Sequence, residues 1–82
     1  MKNLILISFF FVSTFLAAKN NKTGYEAFAN GNYQLAKELF TKEIKENPNN
    51  AELYYNRALA ELKLNQYDEA QKDFNKAKEI IN

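Results

Sequence analysis

Apolar positions in this 82-residue chain follow two regimes. Residues 4–16 form an apolar run interrupted only by Ser8, Ser13 and Thr14. From residue 21 onward, apolar side chains recur at spacings of three and four, the signature of helices with one buried stripe. Four helices are predicted. The first covers about 21–30, with Tyr25 and Phe28 large and Gly24 and Ala27 small. Gly31 is expected to stop it in a left-handed conformation, and Asn32 to cap the next helix through its side-chain oxygen. The second covers 33–46, with a stripe of Tyr33, Ala36, Phe40 and Ile44, and Leu35 and Leu39 beside it. Asn47-Pro48 ends it, because a residue before proline is pushed out of the helical region. The third starts at Asn49-Asn50, where Asn49 and Glu52 read as a capping box, and runs to Leu64 through Leu53, Tyr54, Ala58 and Leu62. Asn65 takes the place of Gly31 as the left-handed stop. The fourth covers 67–81, with Tyr67, Ala70, Phe74, Ala77, Ile80 and Ile81.

The two halves share a period of 34 residues: Tyr33 returns as Tyr67, Ala36 as Ala70, Phe40 as Phe74 and Lys42 as Lys76. The small residue Gly24 returns as Ala58, and the apolar Phe28 as Leu62. A fixed spacing of this length, with helical periodicity inside each unit, marks units that bury their apolar faces on one another. The turns at Gly31 and Asn65 are too short for anything but antiparallel neighbours. The expected fold is all-α: two stacked antiparallel helical hairpins, units about 20–48 and 51–82, behind an N-terminal apolar signal helix. Arg57 and Asp73 are expected to pair across the second hairpin, since the first-unit equivalents Thr23 and Leu39 are both uncharged.

These residues resemble the tetratricopeptide repeat, a 34-residue pair of helices with the pattern W-x2-L-G-x2-Y, then A-x3-F, then A, then P. In the second unit Tyr54 takes the Trp position, Ala58 the small position, Ala70 and Phe74 the A-x3-F step and Ala77 the last alanine. The first unit matches at Gly24, Tyr33, Ala36, Phe40 and Pro48, and departs at Asn20, Thr23 and Glu43. The resemblance covers about 20–82. It implies a fragment of an α-solenoid that binds a peptide or partner helix on its concave side, lined by the first helix of each unit. The candidate contacts are Tyr25, Tyr55, Asn56, Leu59 and Lys63; Phe28 and Leu62 read rather as core. Some family members clamp a C-terminal carboxylate with Lys and Asn. Asn56 matches one clamp position, but Asn21 and Tyr25 stand where Lys and Asn are needed, so no clamp is expected.

The last helix is expected to leave Phe74, Ile80 and Ile81 without cover, which marks them as a self-association surface. Two units fall short of the roughly three that such arrays need for stability, so a truncated remnant of a longer repeat protein is the competing reading.

Charge and composition narrow the function. Residues 1–18 carry only Lys2, then the apolar run, then Ala17-Ala18, the layout of a secretory signal. The run is shorter than the roughly 20 residues of a spanning helix. Domains are therefore expected at 1–18 (signal) and 19–82 (helical domain), with a periplasmic or secreted product. Leu16 sits where a signal peptidase prefers a small residue, so an uncleaved membrane anchor stays as the alternative. Without residues 1–18, ten basic residues balance ten acidic ones, which argues against nucleic acid. The chain has no Cys and no His, and no Ser beyond residue 13. No cofactor, metal or catalytic activity is expected; the expected partner is a protein or peptide.

Overall fold

The computed structural model describes residues 21–82. The expected signal segment, residues 1–18, lies outside the described residues. Four helices follow one another: α1 (Gly24–Ala29), α2 (Tyr33–Glu46), α3 (Ala51–Lys63) and α4 (Tyr67–Ile81). There is no strand among the described residues.

The start of α1 is later than the apolar pattern suggested. Thr23 is extended and its Oγ1 accepts from the Glu26 amide at 3.1 Å, so the helix begins at Gly24. A second acceptor comes from outside the helix: Glu43 Oε2 takes the Gly24 N–H at 2.7 Å. Glu43, a departure from the repeat pattern, thus caps a helix that has only six residues.

The two hairpin turns are copies. Gly31 (φ 80°) and Asn65 (φ 62°) are both left-handed. The Gly31 amide donates to Phe28 O and the Asn65 amide to Leu62 O, each at 3.0 Å. The Asn32 amide donates to Ala27 O and the Gln66 amide to Glu61 O, each at 2.8 Å. Each of these bonds in the first turn has its counterpart one period later in the second.

Two capping expectations are corrected. Asn32 makes no side-chain capping bond, because the tight return from Gly31 leaves it at ψ 73°, short of the extended geometry of Thr23. The cap of α3 is Asn50, not Asn49: its Oδ1 accepts from the Glu52 amide at 3.1 Å. The Asn50 amide closes a turn onto Asn47 O at 3.2 Å, and Asn49 is used up inside that turn.

Packing runs in sequence: α1 on α2, α2 on α3, α3 on α4, with a smaller contact of α1 on α3. Phe40 is the largest fully buried side chain and sits among Ala27, Ala36 and Ala60. Its ring occupies the space that a side chain at Gly24 would need, so the backbone of α1 rests directly on the aromatic face. Close packing demands this alternation of bulky and minimal neighbours. A second cluster joins Ile44, Tyr54 and Ala77, with Ile80 against it, and ties the first unit to the second. Tyr54 Oη donates to Pro48 O at 2.8 Å, which pins the link between units to the start of α3.

Candidate functional site

The first helices of the two units, α1 and α3, flank a cleft of about 120 Å³ floored by Phe40 and lined by Tyr25, Phe28, Asn56 and Leu59. Tyr25 is 72 % exposed, while Phe28, Asn56 and Leu59 are half-buried. The helical period explains the grouping. Tyr25 and Phe28 are three apart on α1, as are Asn56 and Leu59 on α3, so each pair shares one face. Phe28 is held by Tyr33, whose ring meets it edge-on with centroids 5.2 Å apart. Asn56 is the one amide in an otherwise aromatic and aliphatic lining.

The structure therefore brings together three of the residues singled out in the sequence: Tyr25, Asn56 and Leu59. Phe28, read as core, is at once packed against the core and part of the cleft wall. The other two candidates lie elsewhere. Tyr55 turns toward α4 and meets Phe74 edge-on, with centroids 5.4 Å apart. Lys63 places its Nζ over the Tyr33 ring, 5.9 Å from the centroid. Leu62 is 38 % exposed, less buried than a core residue. The floor residue Phe40 was read only as packing; it comes from α2, so its place in a cleft between α1 and α3 is invisible to a face-by-face reading of one helix.

The residues expected at an uncovered end have separate surroundings. Phe74 is half-buried beneath Tyr55, and Ile80 packs on the cluster of Ile44, Tyr54 and Ala77. Ile81 is 73 % exposed, and with Ile80 it borders a shallow groove beside Pro48 and Ala51.

Where α2, α3 and α4 meet, the molecule holds a charged junction. Arg57 grips Asp73 with two bonds, Nε to Oδ2 at 2.7 Å and Nη2 to Oδ1 at 2.6 Å. Its Nη1 donates to Thr41 Oγ1 at 3.2 Å, and its guanidinium carbon lies 5.8 Å from the Tyr54 ring centre. The expected pair across the second hairpin is present. Asp73 raises the Arg57 pKa, chiefly through the hydrogen bond between them. Burial pushes the Asp73 carboxyl up, but its hydrogen bonds from Arg57 and Glu61 and the charges of Arg57 and Lys37 outweigh that and hold it below the usual range. Lys37 reaches from α2 to Gln66 and Glu69, 2.6 Å from each. Glu61, buried beside them, was not singled out in the sequence. Its signal was there: a carboxylate on the stripe of Tyr54 and Ala58, one helical turn after Arg57.

Among the described residues, no group of three or more His, Cys, Asp or Glu side chains is placed to hold a metal ion. Nor is any described helix long and apolar enough to cross a membrane.

Comparison with known proteins agrees with this geometry. The tetratricopeptide repeat family matches residues 21–81, and the chain belongs to that family. It is 48 % identical over 54 residues to the rice protein SGT1 homolog, a match covering 66 % of this chain and 15 % of the relative. It is also 48 % identical over 50 residues to small glutamine-rich tetratricopeptide repeat-containing protein 2 of Saccharomyces cerevisiae, covering 61 % of this chain and 14 % of the relative. Human DnaJ homolog subfamily C member 7 is 44 % identical over 54 residues, covering 61 % of this chain and 11 % of the relative. The chain thus spans about a seventh or less of the length of these relatives. No solved structure matches it.

Proposed function

We propose that this chain is a non-catalytic protein-binding module that receives one bulky apolar side chain of a peptide or partner helix in the cleft between α1 and α3. The observation that carries this reading is the cleft itself: an apolar pocket of about 120 Å³, close to the size of one large side chain, with a single amide, Asn56, at its wall. Such a lining grips an apolar anchor while the amide meets a backbone N–H or C=O. Tyr25 supplies exposed aromatic area at the mouth.

The apolar run at residues 4–16 supports export to the periplasm or the outside, with an uncleaved membrane tether as the alternative. The small share of each relative that is matched supports a further reading, in which the two units are one piece of a longer array.

The test is a random-peptide library selected on the immobilised full chain, followed by calorimetry of the enriched peptide. Selected peptides should share a large apolar residue. Asn56→Ala and Leu59→Ala should each weaken binding by about 1–2 kcal/mol, several-fold to thirtyfold. Lys76→Ala, at an exposed position, should change nothing. Peptides whose affinity is indifferent to both cleft substitutions would exclude the cleft as the site.

A further inference from the structure

The junction of α2, α3 and α4 contains one more carboxyl than its cations serve. Glu61 is 3 % exposed. Its Oε1 is buried and has no hydrogen-bond donor facing it. Its Oε2 lies 3.8 Å from Lys37 Nζ, while that ammonium is 2.6 Å from both Glu69 and Gln66. Arg57 is committed to Asp73 and Thr41. An ionised Glu61 would be a buried charge with an unmet acceptor, and proteins avoid that state by keeping the proton. A neutral carboxylic acid gains a donor, and the Asp73 carboxylate, which lines the same cleft from α4, is the acceptor it would meet.

We propose that Glu61 stays protonated at neutral pH and donates that proton to Asp73, so that the junction of α2, α3 and α4 is a device that loosens as the proton is lost. The arrangement is a shared-proton carboxyl pair in which Arg57 fixes Asp73 as the ionised partner. Every element packed around Glu61 contributes a charge: Lys37 from α2, Arg57 from α3 itself, and Asp73, Glu69 and Lys72 from α4, of which Lys72 lines the cleft but makes no ion pair with Glu61. A cleft of about 330 Å³ over Lys37, Arg57, Glu61 and Asp73 gives the proton a route to solvent. Burial first, then the hydrogen bond and charge of Asp73, push the Glu61 pKa up to about 8; Arg57 and Lys37 offset part of this.

The direction follows. An unfolded Glu titrates near 4.5, so between there and about 8 the folded chain binds the extra proton. Stability is therefore full at the acid end of that window and falls as pH rises through it, by up to about tenfold in the folding constant per pH unit. The chain has no His and no Cys, so this window is otherwise nearly silent. The terminal amine, near pH 8, remains as a background that a Glu61 substitution leaves in place.

Carbon-13 NMR titration of the side-chain carboxyls of the full chain tests the proposal, alongside denaturant unfolding from pH 5 to pH 9. The Glu61 signal should move with a midpoint well above neutrality, and stability should decline with rising pH. Glu61→Gln, which supplies a permanent donor toward Asp73, should flatten that decline. A Glu61 midpoint in the ordinary range near 4.5, or a Glu61→Gln chain with the same slope as the parent, would overturn it. Should Glu61→Gln fail to fold, the titration of the unaltered chain decides alone.

Discussion

The contact that sets the first hairpin is between an absent side chain and a ring. Gly24 has no Cβ, and the Phe40 ring fills that space. Gly24→Ala forces backbone or ring to shift in a packed site, and is expected to destabilise the chain by about 1–3 kcal/mol in denaturant unfolding. Ala58, the second-unit equivalent, is buried with its methyl group in place, so the requirement is specific to the first unit. The charged junction makes its own prediction in acid. The folded pKa of Asp73 lies below its unfolded value of 3.8, so its contribution is present above that pH and is lost as pH falls through the folded value. Glu61 acts in the opposite sense at higher pH. Thermal unfolding across pH 2–9 should therefore show maximal stability between the two unfolded values, close to pH 4–4.5, rather than at neutrality.

At the scale of the element, α2 and α4 carry the same motif in different surroundings. Phe40 on α2 has α1 behind it and α3 across it, and is 2 % exposed. Phe74 on α4 is half-buried, with the Tyr55 ring against it. Phe40→Ala should cost about 4 kcal/mol, within the range for emptying a core aromatic site. Phe74→Ala should cost about half as much, because less of its surface leaves water on folding. Matched denaturant titrations of the two variants check this, and equal costs would mean that the two helices are equally enclosed. The six-residue α1 is the element that local pattern misjudged. Its apolar residues extend the helical reading back to residue 21, whereas Thr23 and the distant Glu43 fix the true start. An acceptor nineteen residues away leaves no mark on local periodicity.

For the molecule as a whole, the tandem arrangement was legible because it is written twice. The turn bonds at Gly31 and Asn65 and the buried Ala36 and Ala70 repeat at one spacing, and Phe40 and Phe74 share that spacing in the sequence. The Arg57–Asp73 pair was legible for the converse reason, as a paired departure from that repetition. The cleft was legible only in part. Tyr25, Asn56 and Leu59 share it because α1 and α3 face each other across α2, which the period implies. Tyr55 and Lys63 stand on the same helix but are drawn aside by Phe74 and Tyr33, and those ring contacts depend on distances that no spacing rule supplies. Glu61 escaped notice because a carboxylate on a buried stripe gains meaning only from its neighbours in space.

The central claim is that the repeat scaffold exists to present the α1–α3 cleft to a partner. Backbone chemical-shift mapping of the full chain, titrated with the peptide enriched in selection, tests it most directly. The account predicts perturbations concentrated at Tyr25, Phe28, Asn56 and Leu59, with α4 little changed. Perturbations concentrated on α4 or on the α2 surface, with the cleft residues silent, would contradict it.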